Sequence, residues 1–493
     1  METSRTTPRD LGVGGARVVW AVLAAAAWLG GGCDSSGTGD PGPDAGVPRA
    51  ITPDDLVAAA GCAAPTGAGT DHTQTIRADE TWTAADGPHR VPFPLTIEAT
   101  VTIEPCATVR LGPGVTLDVG NPPTAGAIRA RGAVDVGADG AVRARPVTFA
   151  RLDPAMPWAQ LRVNRSGTLE LSVAQLTGGG QVGASEPGAL RVDGPAGGTN
   201  DGPVYRSTTV DRVLVEGSAS FGVNLTGWGA FTESSDVLWI RGSGGDAAPY
   251  ALALEPGVAS TLPRGLALTG NRRDAILMRT SKAFTRDDTL RALGAPYVQQ
   301  GTLYLSSSAD GATTTLTIEP GVTLAFDGAS SGIAVGASAE RLGVLVARGT
   351  AAAPITFTSA RDAKAAGDWI GLVFRAFPRL GSRIEHARIE YAGGPSGTNG
   401  FGCGPEGQGN DAAIIIQGQG PEGREGPDEV FVTDTRFTNI GGATVIVSGW
   451  YGDGPNLAAN NVFGEGVPAC HVSQPRTNFD GGDFCEGRRG VCW

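Results

Sequence analysis

The chain has 493 residues, 41% hydrophobic and 18% charged, with 76 Gly and 33 Pro, so it is too apolar for general disorder and turn-rich enough for many short strands. Division by ordinary domain size suggests about three domains, but elongated repeat folds add length without adding domains. The formal net charge is −12 and the acids are dispersed, which argues against nucleic acid or a polybasic membrane surface as partner and fits simple solubility.

Residues 1–33 read as an export signal. Arg5, Arg9 and Arg17 precede an apolar run at 18–29, VVWAVLAAAAWL. That run is too short to span a bilayer as a mature helix and matches the core of a secretory signal. Gly30, Gly31 and Gly32 ahead of Cys33 resemble a bacterial lipobox, whose cysteine is diacylglyceryl-modified and becomes the new N-terminus. The pattern departs at Gly30, since the usual Leu stands one position further out as Leu29, and ordinary signal cleavage is the alternative. The resemblance implies lipid attachment at Cys33, a membrane partner through that lipid, and an address in the cell envelope, at the outer membrane or cell surface. Residues 34–50, DSSGTGDPGPDAGVPRA, cannot bury a core and serve as a flexible linker.

Next comes a short helix over 51–60, with Thr52 as N-cap, Pro53 at its first position and Asp54 and Asp55 in its first turn. Residues 51–94 are expected to cap the open end of a solenoid, whose bare terminal rung would otherwise expose strand edges. Two related stretches follow, VTIEPCATVRL at 101–111 and LTIEPGVTLAF at 316–326. The likeness extends from RPVTF (145–149) to APITF (353–357), from Trp158 to Trp369, and from LELSVAQLTGGG (169–180) to IEHARIEYAGG (384–394). This is a duplicated module, 95–314 and 315–465, ahead of a Cys-containing tail at 466–493.

A shorter period lies inside the modules. DRVLVEGS (211–218) and DVLWIRGS (236–243) align at an offset of 25, and VTDTRFTNIGG (432–442) repeats the pattern of 384–394. Short β-branched strands split by Gly and Asn turns at such a period make one coil of a parallel β-helix, and stacking covers the inward face that one coil leaves bare. About a dozen coils at ~4.8 Å would give a body on the order of 55–60 Å long. In the second copy Leu316, Ile318, Val322, Leu324 and Phe326 point inward, while Thr317, Glu319, Thr323 and Ala325 point outward. Pro320 and Gly321 form a type II corner, in which Gly supplies the positive φ. Cys106 takes that place in the first copy and puts its geometry in question, and a Cys62–Cys106 disulfide could hold the corner instead.

There are seven cysteines, and with Cys33 set aside six remain: Cys62, Cys106, Cys403, Cys470, Cys485 and Cys492. An even number suits three disulfides in an oxidising compartment, with the short loop from Cys485 to Cys492 the favoured pair. No CxxC occurs, and His72, His89, His386 and His471 are not at metal-ligand spacing, so no metal or other cofactor is expected.

The combination of TLTIEPGVTLAF, GVLVARGTAAAPITFTS (343–359), GDWIGLVF (367–374) and SRIEHARIEYAGG (382–394) resembles the right-handed parallel β-helix repeat of surface and secreted proteins of Gram-negative bacteria. The resemblance covers 315–450 well and 95–230 more loosely. It implies an all-β solenoid and leaves function open, because adhesin-like surface proteins share the fold and fold does not settle function.

Such solenoids also carry polysaccharide hydrolases and lyases, which need carboxylates facing one cleft. The candidates are Asp287 with Asp288, Asp411, and Asp480 with Asp483, all in turn-like contexts where an acid more often bonds its own backbone. Three or more of them meeting in one groove beside exposed aromatics would mark an enzyme, and scattered acids would remove it. A lyase base would have to be an Arg such as Arg272 or Arg273, since Lys282 and Lys364 are the only lysines. No GxSxG, HExxH or phosphate loop is present, and lone His386 and His471 read as packed or surface residues. Trp228, Phe231, Trp239, Trp450 and Tyr451 could stack on sugars but read more simply as core rungs. The long Gly-rich insertion 395–410 is the best recognition surface. The expected function is therefore a monomeric, non-enzymatic envelope lipoprotein presenting loops to a glycan, matrix or cell surface. The alternative is a carbohydrate-active β-helix enzyme.

Overall fold

The computed structural model describes residues 50–492 except 65–66, 182, 184–185, 196–202, 280–283, 338–340, 376–380, 399–409, 418–428, 449–454 and 475–490. The chain divides into two units, Met1–Val47 and Pro48–Trp493, and the first, with Cys33, lies outside the described residues. So do Cys403, Cys485, Asp480, Asp483, Trp450, Tyr451 and Lys282.

The spine is one parallel face that runs through both modules. It begins at Leu95–Ile97 and passes through Thr116–Val119, Gln160–Val163, Leu190–Asp193, Val223–Thr226, Tyr250–Leu254 and Arg273–Met278. It continues through Tyr297–Leu305, Thr323–Val335, Ile355–Ser359, Ala387–Glu390 and Arg436–Thr438 to Val462–Phe463. At ~4.8 Å for each rung this spans on the order of 55–60 Å, as the coil count implies. The strands alternate inward apolar with outward polar residues because side chains have a period of two along a strand. Leu316, Ile318, Val322, Leu324 and Phe326 are all buried, and each such side chain contributes roughly 1.5–3 kcal/mol. Outward Ala325 is buried too. It packs with Tyr250, Ala253, Leu277 and Val298 in an apolar cluster outside the sheet.

The 25-residue period is a true coil: Val213, Leu214 and Val215 pair with Leu238, Trp239 and Ile240. Likewise Ile384 pairs with Val432 and Arg388 with Arg436. The chain is a parallel β-helix, with antiparallel pairing among the described strands confined to the hairpin of Ala133–Val136 with Val142–Arg145 and to the strand end at 473–474 with 491–492.

Both corners hold the same turn. Ala107 donates to Glu104 O at 3.1 Å, Val322 donates to Glu319 O at 3.3 Å, and Cys106 and Gly321 have φ of 68° and 84°. Cys106 thus accepts the left-handed conformation that Gly takes freely, and its disulfide to Cys62 ties the corner to the segment after the helix. Cys470 is also disulfide-bonded.

Two expectations change. The helix Pro53–Ala58 has Thr52 as its N-cap, as expected, and Thr52 and Asp55 bond reciprocally in a capping box, but the helix lies against the flank of the stack. Its Leu56 is buried among Ala144, Val173 and Leu214, and Asp54 pairs with Arg241, because the outward side chains of those coils are apolar enough to hold it. Coils begin before residue 95: Thr70–Asp71 and Glu80–Trp82 pair with His89–Val91 and Thr100–Ile103.

The two copies also occupy different faces. The strand after the first corner, Thr108–Leu111, belongs to a sheet that starts at Thr70–Asp71 and ends at Gly265–Thr269. The strand after the second corner, the start of Thr323–Val335, lies in the long face. The second module is therefore advanced by one face. The exchange falls between Gly265–Thr269 and Asp288–Leu290, the first strand of a new five-stranded sheet.

Candidate functional site

Along the outer side of the long face, residues in register form a polar ladder. Thr96 pairs with Asp118, Asp118 with Arg162, and Arg162 with Arg191. Arg162 Nε donates to Asp193 Oδ2 at 2.7 Å and its guanidinium lies 3.7 Å from Asp118. Arg191 Nε and Thr226 Oγ1 both donate to Asp193 Oδ1 at 2.6 Å, and Asn164 Nδ2 donates to Asp118 Oδ1 at 3.1 Å. Around these groups is a cleft of ≈ 450 Å³, bordered also by Asn121 and Arg165. Arg165 is exposed and forms no ion pair with a described residue.

The two carboxylates of this cleft are held apart in proton affinity. Burial pushes Asp118 up, against the opposing pull of Arg162 and Asn164. Burial also pushes Asp193 up, but hydrogen bonds and charge from Thr226, Arg191 and Arg162 outweigh it and hold that carboxyl below its ordinary range. The two acids of one cleft thus differ in proton affinity, Asp118 holding its proton more tightly than Asp193.

Among the described residues, the acids singled out from sequence, Asp287, Asp288 and Asp411, are each engaged with backbone. Asp287 accepts from Thr315 N at 2.6 Å, Asp411 accepts from Ser396 N at 2.7 Å, and buried Asp288 accepts from Ala259 N and Ser260 N. Each serves backbone, which removes an active site built on these three. Arg272 pairs with Asp246, Arg273 lies over the Tyr250 ring, and Lys364 donates to Thr358 Oγ1. Trp228 and Phe231 are buried core, Trp239 is half-buried against the helix cluster, and His471 stacks on Phe463 at 4.1 Å. Among the described residues no group of three or more His, Cys, Asp or Glu is placed to hold a metal ion. The insertion at 395–410 is described at 395–398 and at Asn410.

Asp118, Arg162 and Asp193 were missed because coils of unequal length separate them. The signal is present in TLDVG, QLRVN and LRVDG, where a charged residue sits beside the inward Leu and Val of successive strands.

No curated protein and no solved structure matches the chain. Residues 285–397 match the family described as a pectate-lyase-like β-helix domain, a stretch that begins beyond the Asp118–Asp193 cleft and covers the second module's corner.

Proposed function

We propose that this protein is an exported, saccharide-binding β-helix protein of the cell envelope, with the cleft at Asp118, Arg162 and Asp193 as its saccharide site. The observation that carries this reading is the ladder itself. Carboxylate, guanidinium, amide and hydroxyl groups stand on consecutive rungs ~4.8 Å apart, which suits a repeating chain of hydroxyl groups better than an apolar partner. The match to a pectate-lyase-like domain supports carbohydrate as the ligand class. Lipid attachment at Cys33, with residues 34–50 as tether, would hold the protein at the membrane.

Purified protein on a glycan array is expected to bind saccharides and to weaken on Arg165→Ala, which removes an exposed cation without touching the packed ladder. Unchanged binding by that variant and by Asn121→Ala would refute the cleft as the site. Palmitate labelling of wild type but not of Cys33→Ala checks the anchor.

A second reading, cleavage of the bound glycan, is favoured by the opposed proton affinities of Asp118 and Asp193, which match the division between general acid and base. Release of reducing ends from an array-positive glycan, lost in Asp118→Asn, distinguishes cleavage from binding alone.

A further inference from the structure

One corner of the first module is apolar where it meets water. Three turns make it: PFP (92–94), GPG (112–114) and DPAMP (153–157). They join His89–Val91 to Leu95–Ile97, Thr108–Leu111 to Thr116–Val119, and Val147–Arg151 to Gln160–Val163, so they follow one another along the stack. The coils meet at these turns, since Gly112 N donates to Val91 O at 2.9 Å and Gly114 N to Pro157 O at 3.0 Å. Phe93 is 63% exposed and Met156 45%, and Pro94, Pro113, Pro154 and Ala155 between them are exposed as well. Within the three turns the one charged side chain is Asp153, which accepts from Ala155 N at 2.9 Å. Contiguous apolar side chains left in water mark a contact surface.

The N-terminal helix starts beside the same edge. Asp54 in its first turn accepts from Arg241 Nη1 at 2.7 Å, and Arg241 is the last residue of its strand, just before the corner of its own coil. Arg241 pairs with Glu216 and Glu216 with Thr177, the end of a strand whose residues 174–176 stack on Val147–Phe149. Three rungs therefore separate the root of the helix from the Met156 turn, on the order of 15 Å. Residues 34–50, as a flexible chain of this composition, have a root-mean-square reach of about 20–25 Å. A lipid at Cys33 would thus keep this edge within range of the bilayer without stretching the tether.

We propose that this corner is a membrane-docking edge, which seats Phe93 and Met156 at the headgroup boundary of the lipid surface that holds Cys33. The inference rests on the lipid attachment proposed above and is independent of the saccharide cleft. So small an apolar contact holds a free protein to a bilayer weakly, but a short flexible tether raises its effective concentration to about the millimolar range. Electrostatics favours the same edge, because a chain of net charge −12 is repelled by an anionic surface and approaches most closely where it carries least charge. Since the three turns succeed one another along the stack, seating them lays its long axis along the membrane.

The test expresses the full chain with palmitate label and recovers the lipidated protein in phosphatidylcholine nanodiscs, with plain or brominated acyl chains. Phe93→Trp places an indole on the edge, and Val462→Trp places one on the last coil at a site 49% exposed. Relative to wild type, the added emission of Phe93→Trp should shift to the blue in plain discs and lose about half or more of its intensity in brominated ones, as expected for a ring seated at the interface. Val462→Trp should do neither. Adding Met156→Asp to Phe93→Trp should restore most of the lost emission, and adding Val462→Asp should leave it quenched. Discs without labelled protein overturn the anchor and this proposal with it. Labelled discs in which the added indole at 93 is unquenched, is quenched no more than that at 462, or is indifferent to Met156→Asp overturn the docking edge alone. Thermal melts confirm that each variant is folded.

Discussion

His72 Nε2 lies 3.1 Å from His89 Nδ1, so two histidines 17 residues apart in sequence share one hydrogen bond on adjacent coils. The Thr83 carbonyl can only accept, and His89 Nε2 lies 2.9 Å from it, so that nitrogen carries the proton. His89 Nδ1 must then accept from His72 Nε2–H. The nitrogen left to take up a proton is His72 Nδ1, 3.8 Å from Glu80, which also accepts from the Trp82 indole at 3.0 Å.

This arrangement makes the first coils acid-sensitive. Burial, then the charge of His89, lowers the His72 affinity for protons, against the pull of Glu80 and of Asp71, itself paired with Arg90. The folded value is below the unfolded value of about 6.5, so between them the unfolded chain binds more protons and stability rises with pH. Thermal melts should be level above about pH 7 and fall as the pH drops below about 6.5. His72→Gln should flatten that limb, and a wild-type limb of opposite slope would remove the assignment.

The disulfide predicts a second effect. Cys62 and Cys106 close a loop with a sequence separation of 44, and chain-entropy reasoning gives about 4 kcal/mol for its loss. In a Cys62→Ser background, Cys106→Gly should be milder than Cys106→Ala, because φ there is 68°. Urea unfolding of the N-terminal coils would show it, and equal midpoints for the two variants would count against the corner argument.

Asp288 marks the exchange of sheets and titrates in the opposite sense. Burial raises its proton affinity, so its stabilising contribution is complete below the unfolded value of about 3.9 and is lost as pH rises through the higher folded value. Its carboxylate also accepts from Ala259 N at 2.8 Å and Ser260 N at 2.9 Å. Asp288→Ala leaves one buried and one partly buried donor unpaired and should cost about 2–4 kcal/mol, while Asp288→Asn keeps one acceptor oxygen and costs less. Urea midpoints at neutral pH rank the two, and an Asn variant worse than Ala would contradict this.

Sequence carried the architecture because each coil repeats its own chemistry. TLTIEPGVTLAF contains its inward residues, its outward residues and its corner, and even Cys106 follows the rule that Gly321 obeys. The sites were harder to see. Asp118, Arg162 and Asp193 converge only after coils of different length are stacked, and no local pattern encodes which rungs end up in register. The position of Leu56 against Ala144 and Leu214 is likewise a long-range fact, since capping residues state where a helix starts and not what it lies against. Of the insertion at 395–410, the described residues 395–398 border a cleft of ≈ 460 Å³ together with Tyr304 and Arg375.

The one-face advance of the second module has a geometric outcome. Equivalent loops of the two modules leave the stack on different sides, so under the proposed function a flat polymer pressed against one flank would meet the loops of one module and leave the other's turned away, and one chain would offer two separate edges.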